Sequence, residues 1–273
     1  MLQQPQLTVI MPVYNMQEYL GRALEALTQQ EDRDFKLLIV NDGSTDRTRA
    51  IAQSYQDRFP FFRIINKPNG GLSDARNVGM ANVDTPYFTF HDGDDWAAPG
   101  YTAFFTRAFA AHPQVAMVSC GFWIDSPDQK VSRQIGHKGA RMLTKREAYL
   151  KLTNVFGSPI KGYTWNKGYR TAVVRKYHLK FVKDLTFMED QIFNVNYVSL
   201  TDGFYYSSHP YYHYWQRSDS MVHAFNLKMV PDNFRANYRV WHRIVVSLAQ
   251  EQDSHKAAKK GQKIKTIFSD DHQ

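Results

Sequence analysis

Over the first 125 residues, short apolar runs alternate with amphipathic stretches, and this alternation constrains the fold more than any other feature. Leu7–Val13 is a β-branched run, and similar apolar runs recur at 35–40, 62–65, Tyr87–Phe90 and 115–122. Between them, residues 18–29 place Leu20, Leu24 and Leu27 at helical spacing. A second helix carries Ala50, Ile51 and Tyr55, with Ser44 or Thr45 as its cap and Asp46 in its first turn. A third opens at Ser73 and runs through Ala75, Val78 and Gly79, and Tyr101–Ala111 supplies a fourth. Strand–helix repetition of this kind predicts an α/β fold: a mostly parallel central sheet, flanked by helices and joined by right-handed crossovers.

In such sheets ligands bind beyond the carboxyl ends of the strands. Here those ends carry Tyr14-Asn15, Asn41-Asp42 and Asp92-Gly93-Asp94-Asp95, so three strands deliver polar groups to one edge. After Asp125 the pattern fades: 126–139 reads as loop, and helical spacing returns at 145–154, 171–177 and 190–198. A short aromatic strand at 203–206 precedes the string Tyr211-Tyr212-His213-Tyr214-Trp215. Residues 224–250 read as helical, with Pro231 dividing the stretch or starting its second helix. The expected organisation is an α/β half over 1–125, a second half of the same domain over 126–222, and a helical extension with a basic tail over 223–273.

Composition removes several classes. A hydrophobic fraction of 43% is that of a globular chain, not a disordered one. The single cysteine, Cys120, forms neither an internal disulfide nor a thiolate metal site. No apolar run is long enough to span a bilayer, and Met1 to Gln6 lacks a signal-peptide pattern, so a cytoplasmic protein is expected. The net charge of +8 favours anionic partners. Part of the excess is local: Lys256, Lys259, Lys260, Lys263 and Lys265 lie near Ile264, Ile267 and Phe268, as in a membrane-surface segment or a solvated tail. No nucleic-acid recognition motif accompanies the charge.

Three carboxylates within four residues at a strand end repel one another, and a cation is their natural neutraliser. Oxygen ligands of this kind select a hard ion, Mg²⁺ or Mn²⁺, for Asp92, Asp94 and Asp95; an exposed acidic turn is the alternative. Asp42, at the end of its strand, suits a hydrogen bond from a base N–H or a ribose hydroxyl. Asn69-Gly70-Gly71 feeds a helix N-terminus able to receive an anion, and Arg76 on that helix suits a base carbonyl or a phosphate. Neither GxGxxG nor GxxxxGK[ST] is present, which argues against nicotinamide and ATPase chemistry. Glu189-Asp190 opens a helix, where the pair is either a general base for an acceptor hydroxyl or a dipole-favoured acid. His213 and His223 are candidate further metal ligands or structural histidines, and Arg217 suits a leaving diphosphate.

Taken together, these segments resemble the family 2 inverting glycosyltransferases of GT-A fold, closest to bacterial enzymes of exopolysaccharide, capsule or teichoic-acid-type glycans. The matching residues are Val9-Ile10-Met11-Pro12-Val13-Tyr14-Asn15, Val40-Asn41-Asp42-Gly43-Ser44-Thr45-Asp46, Asn69 to Asn77, the acidic turn 92–95, Trp165-Asn166-Lys167 and Glu189-Asp190. The resemblance implies nucleotide contacts from Pro12, Val13, Tyr14, Asp42, Arg76 and Asp94, a metal on Asp92, Asp94 or Asp95, and Asp190 as base with Glu189 beside it. It puts Trp165 and Lys167 near a sugar, and it implies a nucleoside-diphosphate sugar, UDP-linked, as donor and a glycan or lipid-linked acceptor. The Gln-x-x-Arg-Trp signature of processive synthases is absent, Trp215-Gln216-Arg217 being only an echo, which argues for addition of one sugar. The competing readings are a nucleotidyltransferase, which releases pyrophosphate, and a catalytically silent nucleotide-sugar-binding module.

Overall fold

A computed structural model describes residues 4–127, 131–136, 139–154, 160–185, 187–216 and 230–269, without side chains at 230, 231 and 254–269. Four parallel strands, β1 (Leu7–Val13), β2 (Phe35–Asn41), β3 (Phe61–Asn66) and β4 (Tyr87–Phe90), pair in the order β3-β2-β1-β4. β1 is buried along its whole length, as a central strand covered on both faces must be. The crossovers are α1 (Leu20–Thr28), α2 (Thr48–Ser54) and α3 (Leu72–Ala81). α1 buries Leu20, Ala23, Leu24 and Leu27, a stripe at helical spacing in which each leucine contributes about 1.5–3 kcal/mol. α3 sits so close to β1 that a Cβ on Gly79 would lie 2.4 Å from Ile10 Cγ2.

Beyond β4 come β5 (Trp96–Ala97), α4 (Tyr101–Ala111), β6 (Met117–Asp125), β7 (Arg133–Ile135), β8 (Ala140–Leu143) and α5 (Lys145–Thr153). The chain then forms β9 (Lys167–Arg170), α6 (Thr171–Tyr177), α7 (Glu189–Ser199), β10 (Phe204–Trp215) and α8 (Val230–Ser269). The complete sheet runs β3-β2-β1-β4-β9-β6-β10-β5, with β7 on β6 and β8 on β10. β9 is antiparallel to both β4 and β6, so the sheet is parallel in its first half and mixed beyond it. Strands from 1–125 and from 126–222 interleave in this one sheet.

Several local expectations change. Helix α2 starts at Thr48, because Ser44 and Thr45 bond to Asn15 instead of capping it, while Asp46 accepts from the Thr48 N–H at 2.9 Å and from the Gln17 N–H. The stretch 126–139 contains β7. The aromatic segments 203–206 and 211–215 belong to one strand, β10, with register shifts around Pro210, which has no N–H to give to a ladder. The C-terminal helical stretch is α8, one helix with Pro231 in its first turn. Residues 224–229 lie outside the described residues. Among the described residues no helix is long and apolar enough to cross a membrane.

Candidate active site

The ends of β1, β2 and β4 converge as the sheet order requires. Val13 is level with Asn41, and the His91 N–H donates to Ile10 O. The loop after β1 is laced to the loop after β2: Asn15 N–H reaches Ser44 Oγ, Met16 N–H reaches Thr48 Oγ1, and Gln17 N–H reaches Asp46 Oδ2 at 3.1 Å. Asn15 accepts in return from Thr45 N–H, in a left-handed conformation at φ 51° that asparagine tolerates. Pro12 and Val13 are buried strand residues, and Tyr14, 45% exposed, is the one side chain of that trio at the surface.

Asp42 has an internal occupation. Its Oδ1 accepts from Lys67 and from the Gly70 N–H at 3.0 Å, and its Oδ2 from the Gly71 N–H at 2.8 Å. The anion expected at the N-terminus of α3 is thus the chain's own carboxylate. Asp42 thereby shapes the glycine turn. Gly43 completes the joint at φ 74°, where a Cβ would lie 2.7 Å from Asn69 N.

Arg76 is 1% exposed. Its guanidinium contacts Asp190, Glu189 at 3.0 Å and Asp92 at 3.5 Å. The rings of Phe90 and Phe181 flank it at 5.8 and 5.3 Å, and its Nε has no partner among the described residues. Three carboxylates around it raise its pKa above the ordinary value despite burial. This one cation joins the acidic turn to the start of α7. Burial raises Asp190 to about 7, against the lowering effect of Arg76. Thr164 Oγ1 lies 3.5 Å from its other oxygen.

Within the acidic turn the carboxylates are not equivalent. Asp95 is 1% exposed and accepts from the Tyr212 hydroxyl at 2.8 Å and the Trp215 N–H at 2.8 Å. The same Tyr212 oxygen accepts from the Asp92 N–H at 3.0 Å. Burial and then the charges of Asp94 and Asp92 raise Asp95 well above the usual carboxylate range, and burial raises Asp92 as well. Such mutual repulsion fits a site completed by a cation, and the oxygen donors fit a hard divalent ion. Asp92 and Asp94 are the half-buried members able to hold one, whereas Asp95 is committed to Tyr212 and Trp215. Among the described residues no three acidic, histidine or cysteine side chains already form a metal cage, so water and substrate oxygens would complete the shell.

His91 is fully buried, and its Nδ1 faces the Asp92 carbonyl at 2.9 Å. A carbonyl only accepts, so Nδ1 carries the proton; Nε2 has no partner among the described residues. Burial pushes this ring down to about 4, and it stays neutral.

Arg22 of α1 closes the mouth from the other side. It donates to the Asp94 carbonyl at 2.7 Å while its guanidinium stacks over Trp96 at 4.0 Å and Trp215 at 4.8 Å. Sequence reasoning missed both Arg22 and Tyr212. Arg22 lies on the polar side of an ordinary amphipathic helix, and Tyr212 is one aromatic in a string of five.

Two expected substrate residues prove internal. Trp165, 2% exposed, lies in an aromatic stack between Tyr163 at 4.8 Å and Tyr212 at 4.5 Å. Lys167, fully buried, donates to Lys161 O at 2.8 Å, Tyr163 O at 2.5 Å and Asn166 Oδ1 at 2.8 Å. Both belong to the buried scaffold of the site. His213 pairs with Asp125 at 3.0 Å and stacks on Trp96 at 4.8 Å. That puts it beside the turn with its Nδ1 already engaged. Arg217 and His223 lie outside the described residues.

The mixed α/β sheet thus carries an acidic turn at the end of its fourth strand and a second acid pair joined to it through Arg76. The Glycosyl transferase family 2 profile matches residues 8–175, and the chain belongs to that family. It is 33% identical over 194 residues to the uncharacterized glycosyltransferase EpsJ of Bacillus subtilis, covering 70% of this chain and 56% of that protein. It is 30% identical over 200 residues to a teichoic acid poly(glycerol phosphate) polymerase of Staphylococcus epidermidis, covering 72% of this chain and 26% of that protein. The chain therefore spans little more than half the length of the first relative and about a quarter of the second. Among solved structures, S. aureus TarS 1-349 in complex with UDP-GlcNAc superposes with a TM-score of 0.72 at 23% identity, covering 89% of this chain and 66% of that one. The mannosyltransferase PcManGT of Pyrobaculum calidifontis, in complex with GDP-Man and Mn²⁺, gives 0.57 at 14% identity, covering 96% and 81%. The fold is the expected GT-A arrangement.

Proposed function

We propose that this chain is a metal-dependent, inverting glycosyltransferase. It moves one sugar from a nucleoside-diphosphate sugar, UDP-linked, to a hydroxyl of a glycan or lipid-linked glycan in bacterial surface polysaccharide synthesis. The observation that carries the reading is the contact of one buried guanidinium, Arg76, with both Asp92 and Asp190. It sets a candidate base beside a candidate diphosphate site at the carboxyl edge of the sheet, where α/β folds bind nucleotides.

In this reading Tyr14 and Asp94 border the nucleoside, and Asp42 keeps the glycine turn in shape beneath it. Asp190 takes the proton from the acceptor hydroxyl, and the resulting oxygen attacks the anomeric carbon opposite the leaving diphosphate, inverting the centre. Mn²⁺ or Mg²⁺ on Asp92 and Asp94 would supply positive charge to the departing diphosphate. Arg76 keeps the carboxylates close together before substrate arrives, and Glu189 shares that cation with Asp190. UDP-GlcNAc bound to TarS and GDP-Man bound to PcManGT support a nucleotide-sugar donor.

The test is a panel of UDP- and GDP-sugars with Mn²⁺, Mg²⁺ or chelator, following release of nucleoside diphosphate and calorimetric uptake of donor. Metal-assisted uptake and nucleoside diphosphate release are expected. Release of pyrophosphate would identify a nucleotidyltransferase instead, and uptake without product from any acceptor would identify a silent binding module.

A further inference from the structure

Helix α8 has two apolar faces, and among the described residues only one is covered. Ala236, Val240 and Ile244 are buried in the core that also contains Ile192, Phe193 and Val195 of α7. On another face Phe234, Tyr238, Trp241 and Val245 are 76, 69, 54 and 63% exposed. Their spacing of four, three and four residues puts them on one line along the helix. At 3.6 residues per turn, positions 256, 259 and 263, all lysine, continue that line toward the C-terminus. No aspartate or glutamate falls on it. One helix face thus offers three aromatics and a valine, then a row of cationic positions.

Helix α8 itself lies beside the candidate catalytic end of α7. Asn237 Nδ2 contacts Met188 Sδ at 3.6 Å, and Met188 is the residue immediately before Glu189 and Asp190. Arg239 pairs with Asp184 at 2.6 Å, tying α8 to the segment leading into α7.

We propose that α8 docks this protein on an anionic lipid surface, with Phe234, Tyr238, Trp241 and Val245 in the headgroup boundary and the lysine row against acidic headgroups. Phenylalanine, tyrosine and tryptophan suit that boundary, being apolar bodies with, in the last two, a polar tip. Lysines in line with them add the charge complementarity that selects an acidic leaflet over a neutral one. Resting on the transferase reading, the docked orientation brings Asp190 toward the plane in which a lipid-linked acceptor presents its hydroxyl. The docking itself stands apart from that reading and is measured without donor or acceptor.

The test is flotation of the full chain with phosphatidylcholine vesicles and with vesicles also containing phosphatidylglycerol, together with Trp fluorescence and light scattering of the free protein. Binding to the acidic vesicles alone, weakened by salt, is expected, with a blue shift that Trp241→Phe diminishes. Phe234→Ser with Trp241→Ser should reduce binding, and Lys256→Glu with Lys259→Glu should reduce it about tenfold or more while leaving the melting temperature in place. Asp190→Asn should bind vesicles as the unaltered chain does, which separates this proposal from the catalytic one. Equal binding to neutral vesicles, or none to acidic ones, overturns it. So does a dimer that Trp241→Ser dissociates, since the stripe would then be an interface between two copies.

Discussion

Arg76 lies against Asp190, 114 positions further along the chain, and that contact joins helix α3 to the start of α7. The same guanidinium also reaches Glu189 and Asp92, so a single buried positive charge serves three acids. Ionisation of Asp190 and the state of the acidic turn are therefore linked through one residue.

The first prediction concerns Asp190 itself. Burial raises it to about 7, and a base must be ionised to accept a proton. The transfer rate should rise about tenfold per pH unit on the acid side of that value and level off above it. Asp190→Asn should abolish transfer and leave donor uptake largely intact. A flat pH profile, or transfer surviving in the variant, would remove the base assignment.

Arg76→Met tests the shared cation. Removing it leaves Asp92, Glu189 and Asp190 close together without neutralisation, which costs about 3–5 kcal/mol at a pH where all are ionised. The sign follows from linkage: without Arg76, Asp92 and Asp190 are raised further in the folded state, so the folded chain binds more protons than the unfolded one. The deficit should be largest above their pKa values and shrink as pH falls and they protonate. Urea midpoints at pH 8 and pH 5.5 measure it, and a deficit that grows on acidification would contradict the assignment.

The alternation of apolar runs made the parallel half of the sheet legible, since strands buried on both faces must be nearly continuous in hydrophobics. The acidic turn and the pair Glu189-Asp190 were legible because clustered carboxylates are chemically conspicuous. What the sequence concealed was partnership. Nothing local in Asn69-Gly70-Gly71 says that its anion is Asp42, and nothing around Arg76 says that it is buried among acids from three segments. The burial of Trp165 and Lys167 was hidden for a related reason: residue types that suit sugar contacts also fill and anchor cores. Strand β10 read as fragments because Pro210 interrupts the pattern while the ladder continues around it.

Arg22 links α1, β5 and the end of β10 through its stack on Trp96 and Trp215, and it fixes the main chain of Asp94. It is a positioning residue for the acidic turn. Arg22→Ala should raise the donor KM and the metal concentration needed for activation by about tenfold, with kcat changed much less. Lysine at this position keeps the charge but loses the planar stack, so Arg22→Lys should recover only part of the loss. Equal changes in kcat and KM, or full recovery by lysine, would refute the positioning role.

Lys167 yields a prediction of a different kind, because its ammonium is enclosed. Burial pushes it down to about 7, with Asp190 opposing that shift, while three acceptors hold the nitrogen in place. The folded-state value lies below the unfolded one, so between pH 7 and about 10.5 the unfolded chain binds the extra proton and the folded chain does not. From this group alone, folding stability should increase with pH across that window, by at most about 1.4 kcal/mol per unit. Lys167→Met removes the titration and strands the carbonyls of Lys161 and Tyr163, so it should destabilise at every pH. The gap between the unaltered chain and the variant should widen from pH 7 to pH 9.5 in urea unfolding. The donor KM of any folded variant should stay unchanged, because Lys167 presents no atom to the surface. A gap independent of pH would mean that the buried amine is charged throughout, held so by its carbonyl partners and the nearby Asp190.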